Sequence, residues 1–176
     1  MTHLNIHDNF LNDITALKGC PKLLDTLLYN NHLENLNGLE GCRVLDKLDA
    51  RGCRLKNLDA LKGNRSLREL HVSDNLLNNV EGLTGCVSLH ILYASENKIK
   101  SLKGLEGCSN LNEASLQRNA FEDLTPLTNK KQLTSLYAKG NLIQSVLPLK
   151  GCVKLRKLHI ESNRLNKGFI LFYIKF

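Results

Sequence analysis

Leu89-His-Ile-Leu-Tyr-Ala-Ser-Glu-Asn97-Lys-Ile-Lys-Ser-Leu102-Lys-Gly-Leu-Glu-Gly-Cys108 is the stretch that decides the fold. Counting Leu89 as position 1, apolar residues fall at positions 1, 4, 6, 11, 14, 17 and 20. Positions 4 and 6 alternate with polar neighbours, the period of a strand with one buried face. Positions 11, 14 and 17 are three apart, which suits a tight 3₁₀-like return better than a long helix. Gly38, Gly82, Gly104, Pro126 and Pro148 sit inside the equivalent returns elsewhere and argue against regular α-helix there.

The same unit starts at Met1, Leu23, Leu45, Leu67, Leu89, Leu111, Leu133 and Leu155, every 22 residues without a slip. Repeats of this length form solenoids in which each unit buries its apolar face only against its neighbours. Position 9 holds Asn9, Asn31, Asn75, Asn97, Asn119, Asn141 and Asn163, with Cys53 as the one exception. A buried turn leaves backbone N–H and C=O groups that need partners, and an Asn amide offers both a donor and an acceptor. The fixed phase therefore predicts a ladder of amides bridging successive turns, with the smaller, weaker donor Cys53 in one rung.

These residues resemble the leucine-rich repeat pattern L-x-x-L-x-L-x-x-N/C-x-L. The period and the Leu-x-Gly-Leu-x-Gly stretch are similar to one subclass, typified by a regulatory subunit of protein phosphatase 1, and the resemblance runs from residue 1 to about 165. It implies an α/β solenoid: a horseshoe of eight 22-residue repeats with a concave parallel β-sheet and short 3₁₀ or turn returns on the convex side. At about 4.8 Å per strand the sheet is roughly 35–40 Å long, enough to hold a helix or a domain face.

One solenoid domain is expected over residues 1–167. Residues 168–176 (Gly-Phe-Ile-Leu-Phe-Tyr-Ile-Lys-Phe) form an apolar tail, read as a makeshift cap or as the altered end of a longer protein, and the run is too short to span a membrane. Met1 stands in repeat phase with no cap ahead of it, so the ends are candidates for end-to-end self-association of a chain otherwise expected to be monomeric.

Six cysteines bear on the compartment. Cys20, Cys42, Cys86, Cys108 and Cys152 share position 20, which points to buried, reduced thiols used as small hydrophobes. Parallel inward-pointing Cβ atoms on neighbouring repeats do not suit a disulfide, and no C-x-x-C spacing suggests zinc. With no basic, apolar leader at the N-terminus, a cytoplasmic protein is expected, with the cilium or nucleus as finer alternatives.

The net charge is +7. Positions 2, 3, 5, 7 and 8, on the strand side, carry nine acids against seven bases, so the excess of base lies elsewhere, in residues such as Lys98, Lys100, Lys103, Lys130, Lys131 and Lys150. A groove that tracks phosphates would show the reverse, which argues against a nucleic-acid partner. No cofactor or metal is implied.

The strand side chains at positions 3, 5 and 7 face the concave surface and form the candidate partner-binding site. Tyr29, Asp49, Arg51, His71, Ile91, Tyr93, Tyr137 and His159 are singled out there, because Tyr and Arg dominate interface hot spots and Ile91 is apolar where polar residues fit. Asp49, His71 and Tyr93 occupy adjacent rungs, with Ser115 beyond, and allow an Asp–His hydrogen bond. Without an oxyanion hole, phosphate loop or metal cluster the row does not read as catalytic. The expected function is a non-enzymatic scaffold or adaptor that binds another protein on its concave face; the resemblance implies a phosphatase-regulatory or ciliary component. The alternative is a secreted bacterial adhesin, since internalins also use 22-residue repeats and Asp123-Leu-Thr-Pro-Leu127 resembles their turn segment. A third is a ribonucleoprotein component similar to the leucine-rich spliceosomal A-prime protein.

Overall fold

The computed structural model describes residues 1–165; the apolar tail at 168–176 lies outside the described residues. Eight three-residue strands recur at positions 3–5 of each repeat: β1 (His3–Asn5), β2 (Asp25–Leu27), β3 (Lys47–Asp49), β4 (Glu69–His71), β5 (Ile91–Tyr93), β6 (Glu113–Ser115), β7 (Ser135–Tyr137) and β8 (Lys157–His159). They pair in parallel and in sequence order as one sheet. The register repeats with the unit, so that Leu48 faces Leu70 and Leu70 faces Leu92.

The predicted core is the observed one. Positions 1, 4, 6, 11, 14, 17 and 20 of the inner repeats are buried in a single hydrophobic cluster running the length of the stack. Two departures at position 4 matter. Ala114 leaves room, and the same repeat carries Phe121, the largest fully buried side chain. Thr26 is wholly buried, and its hydroxyl has no hydrogen-bond partner.

Three polar columns tie down the backbone, two of them between repeats and one within each turn. The Asn ladder is the first. Asn75 Oδ1 accepts from Leu55 N–H at 2.8 Å, and Asn75 Nδ2 donates to the carbonyls of Ala50 (2.9 Å) and Val72 (3.1 Å). Asn31, Asn97, Asn119 and Asn163 repeat this pattern one unit at a time. Asn141 makes the donor half, to Leu116 O at 2.9 Å, while its Oδ1 has no partner. Asn9, in the first repeat, is exposed, and its side-chain amide bonds only to its own turn. Cys53 fills its rung through Sγ to Leu28 O at 3.5 Å.

The second column is at position 13, which sequence reading passed over. Asp13, Asn35, Asn57, Asn79, Ser101, Asp123 and Ser145 each accept from the backbone N–H two residues on. A short polar side chain there closes an Asx- or Ser-type turn that starts the return. The third column is position 20. Cys86 and Cys152 donate through Sγ to the carbonyls of Leu61 and Leu127 in the preceding repeat, both at 3.3 Å, and Cys42 and Cys108 make longer contacts to Leu17 and Leu83. All six thiols are free. Four of the five at position 20 are thus more than small hydrophobes: each adds a weak S–H donor to a carbonyl that already accepts a backbone N–H in its own turn.

Lys130 and Asn64 occupy the same column. Lys130, read from sequence as part of a solvated basic surface, is only 3% exposed, and its Nζ donates to Glu106 O at 2.6 Å. Repeat phase overrides charge at this position: position 20 points inward, and the long stem carries the ammonium to a carbonyl. Burial pushes its pKa below the ordinary lysine range. Lys98, Lys100, Lys103, Lys131 and Lys150 are exposed as expected.

The returns are of two kinds. Single 3₁₀ turns occur at Thr15–Gly19, Asp59–Leu61, Glu81–Leu83, Thr125–Leu127 and Leu147–Gly151. Repeats two and five instead turn through Gly38 (φ 113°) and Gly104 (φ 109°), whose N–H groups donate to Glu40 and Glu106, each at 2.7 Å. A Cβ on Gly38 would stand 2.3 Å from the Ile14 carbonyl oxygen.

Candidate functional site

Every strand ends the same way. Position 8 adopts left-handed φ in all eight repeats, from 53° at Arg118 to 70° at Gly140, which swings the chain away from the sheet and leaves positions 3, 5 and 7 facing one open surface. The strand residues facing the other way are the core. All eight residues singled out from sequence lie in strands or directly after them on this surface.

Their pairing differs from the expected catalytic-looking row. Asp49 is buried, 4% exposed, and its carboxylate holds Arg51 in a two-pronged contact, Nη2 to Oδ2 at 2.7 Å and Nε to Oδ1 at 2.9 Å. His71 turns to Glu69, Nε2 to Oε1 at 2.6 Å, and Lys47 reaches the same Glu69 oxygen at 2.9 Å. The Asp49–His71 hydrogen bond does not form: the Arg51 guanidinium two residues on takes the Asp49 carboxylate in a forked contact, and the imidazole one rung away turns to Glu69. Burial alone would raise the Glu69 pKa, but hydrogen bonds from Lys47 and His71 outweigh it and hold the carboxyl below its ordinary value. Ser115 bonds to Ser95 (2.8 Å) and Gln117 (3.0 Å) rather than to a base.

Aromatic pairs line the same surface. His7 stacks on Tyr29 at 4.1 Å, and the Arg51 guanidinium lies 5.7 Å from the Tyr29 ring centre. His71 packs against Tyr93 at 4.7 Å, and Tyr137 stacks on His159 at 5.1 Å. The Tyr93 hydroxyl donates to Glu113 Oε1 at 2.9 Å, an interaction that, with burial, raises the phenol above its ordinary pKa.

Arg51, Ser73, Tyr93, Glu113, Ser115, Gln117 and Tyr137 line a wide, open hollow of about 400 Å³ at the middle of the sheet, the central cavity. Three of the predicted residues, Arg51, Tyr93 and Tyr137, are therefore brought together. Ile91 is half-buried at the edge row and does not line this cavity, and Tyr29 and His159 lie towards opposite ends of the sheet. Glu113, Ser73, Ser115 and Gln117 fall on the rows expected to face this surface but were not singled out as partner-binding. Their repeat positions, 3, 5 and 7, are the only sequence signal for them, and it is shared with every other strand. A second cavity of about 350 Å³, lined by His3, Leu4, Asn5, Asp25, Leu27 and Lys47, lies at the β1 end.

Among the described residues no group of His, Cys, Asp and Glu is arranged to hold a metal ion, and no helix is long and apolar enough to cross a membrane. Burial raises the Cys86 thiol to about 12 and the Cys108 thiol to about 11, so neither is a nucleophile near neutral pH.

No protein-family model matches the chain, and no curated protein matches it. Solved structures do. Internalin C2 of Listeria monocytogenes superposes with a TM-score of 0.90 at 28% identity, over 99% of this chain and 77% of that one. A leucine-rich repeat protein of Leptospira interrogans gives a TM-score of 0.85 at 22% identity, over 94% of this chain and 44% of that one. The plant peptide hormone receptor RGFR1, in complex with RGF2, gives 0.67 at 20% identity, over 93% of this chain and 32% of the receptor. The chain spans less than half the length of these last two. The architecture is a leucine-rich repeat horseshoe, with the sheet on its concave side and the returns on its convex side.

Proposed function

We propose that this protein is a non-enzymatic interaction scaffold that binds a partner protein across the concave face of its sheet. The observation that carries this reading is the central cavity between Tyr93 and Tyr137, in which two aromatic walls and several hydrogen-bonding groups converge on a rigid surface. The solved complex of the plant receptor with RGF2 supports it at the level of the fold. The free, buried thiols support a reducing compartment, the cytoplasm or a space continuous with it, such as the nucleus or cilium. The resemblance of the repeat to the phosphatase-regulatory subclass supports a role as a phosphatase subunit or ciliary component.

The test is capture from a eukaryotic cell lysate with the wild-type chain and a Tyr93→Ala/Tyr137→Ala variant. A partner retained by the wild type and lost by a variant of unchanged melting temperature supports the reading, and a phosphatase catalytic subunit or an axonemal protein in that fraction supports the finer one. Identical retention by both chains sinks the concave-face reading. The 28% identity to internalin C2 favours one other reading, a bacterial surface adhesin. Labelled protein that coats intact epithelial cells, and is displaced by excess unlabelled chain, would favour it over the intracellular scaffold.

A further inference from the structure

Rows 3, 5 and 7 of the concave face carry five acids: Asp25, Asp49, Glu69, Glu113 and Glu161. Four are matched by a basic side chain: Asp25 by His3 at 2.8 Å, Asp49 by Arg51, Glu69 by Lys47 and His71, and Glu161 by His159 at 3.2 Å. Glu113 is the exception. Among the described residues no cation lies within 4 Å of it, and the Tyr93 hydroxyl donates to Oε1 alone. This half-buried carboxylate lines the central cavity between Tyr93 and Tyr137. Arg51, which lines the same hollow, is committed to Asp49, and Lys47, three rungs away, to Glu69; Lys157, two rungs away in the same row, reaches no carboxylate within 4 Å among the described residues. The Tyr137 hydroxyl, on the far wall, makes no hydrogen bond among the described residues.

The same surface already shows what such a set of groups binds. At the border of the same hollow a carboxylate, Asp49, and a tyrosine ring, Tyr29, together hold the guanidinium of Arg51, so the wall opposite Glu113 already carries one such pair. A planar guanidinium pairs with a carboxylate through two parallel hydrogen bonds and lies against an aromatic face, which a compact ammonium does less well.

We infer that the Tyr93–Glu113–Tyr137 cavity is a specificity pocket for an arginine side chain of the partner. Glu113 takes the guanidinium through Oε2 and the remaining lone pairs of Oε1, the two tyrosine rings flank it, and Ser73 and the Tyr137 hydroxyl offer further acceptors at the rim. A cavity of about 400 Å³ admits the side chain with part of its backbone. The inference deepens the concave-face reading and rests on it.

The probe is N-acetyl-arginine amide, with the lysine and citrulline amides beside it, titrated into the full chain and followed by the tyrosine ring resonances in NMR. The arginine derivative is expected to bind in the millimolar range and shift Tyr93 and Tyr137, with the uncharged citrulline isostere at least about tenfold weaker. Glu113→Gln, which keeps shape and the acceptor for Tyr93, is expected to abolish that preference, and Tyr137→Leu to weaken binding about two- to fivefold. Equal binding of arginine and citrulline, equal binding of arginine and lysine, indifference to Glu113→Gln, or no binding at tens of millimolar overturns the inference. Partner capture keeps the two ideas apart. Loss of the captured partner in Tyr93→Ala/Tyr137→Ala but not in Glu113→Gln leaves the scaffold standing without an arginine pocket. Arginine binding with capture unchanged in both variants removes the concave-face reading and, with it, the pocket's role toward the partner.

Discussion

At the scale of single residues, the fold tolerates a few side chains that its own repeat disfavours, and these expose its energetics. Thr26 puts a hydroxyl in the column that elsewhere holds Leu or Ala, fully buried and unpartnered. An unsatisfied buried donor costs about 1–3 kcal/mol. Thr26→Val keeps the shape and removes the hydroxyl, so it is expected to raise stability by about 1–2 kcal/mol in urea denaturation; a loss of stability would mean that the hydroxyl has a partner. The position-20 thiols give a pH signature. Cys86 and Cys108 have folded-state values of about 12 and about 11, above the ordinary 9.0, so the folded state binds these protons more tightly than the unfolded one. Their contribution is fully present below pH 9 and is lost as pH rises from there through the folded values. The expected loss is at most about 1.4 kcal/mol per pH unit for each thiol. In denaturation series above pH 9, Cys86→Ala/Cys108→Ala should show a shallower decline than the wild type, whatever its stability at pH 7. Parallel declines would refute the assignment.

At the scale of the repeat, what was legible in the sequence was what recurs in phase with a distinctive residue type. The strand, the buried column and the Asn ladder were readable because one residue type has one physical use there. Position 13 was not, since Asp, Asn and Ser all close the turn and look like ordinary surface polarity. Neither was left-handed position 8, which carries Asp, Asn, Gly, Glu, Arg and Ser with no common chemistry. Lys130 misled for the opposite reason: a charge suggested the surface, while phase put it inside. Of the central cavity, Arg51, Tyr93 and Tyr137 were legible as hot-spot types, but Glu113 was not, because its significance is a missing partner that only the pairing of the other four acids reveals. The ladder itself makes a testable claim. Asn75 serves one N–H and one carbonyl across the repeat boundary and a second carbonyl in its own turn, so Asn75→Ala should cost about 2–4 kcal/mol, whereas exposed Asn9→Ala should cost under about 1. Cys53→Asn should restore a full rung and gain about 1 kcal/mol, seen as a higher denaturation midpoint. If Asn9→Ala and Asn75→Ala cost the same, the residues act only locally in their turns.

At the scale of the molecule, the elements of the described residues touch only their immediate neighbours along the stack, strand on strand and return on return. Stability is then close to a sum over repeats and the interfaces between them, and a lesion should be felt locally before it is felt globally. Gly38→Ala is such a lesion. It demands φ 113° of a residue with a side chain and drives a Cβ to 2.3 Å from the rigid Ile14 carbonyl, with the α-carbon of Thr15 at 2.9 Å. Nothing in this can relax by turning a side chain, because every atom struck belongs to the backbone. The contact disrupted lies between the first two repeats, far along the sheet from β5, β6 and β7. In hydrogen exchange, Gly38→Ala should therefore strip protection from amides of the first two repeats, such as Leu28 and His32, while Ala94 and Leu116 keep theirs. The central cavity is framed by the protected repeats, so the variant should still bind the arginine derivative with wild-type affinity if that pocket is real. Uniform loss of protection from end to end would show instead that the eight repeats fold as one indivisible unit, and that the concave face cannot be weakened at one end without losing the other.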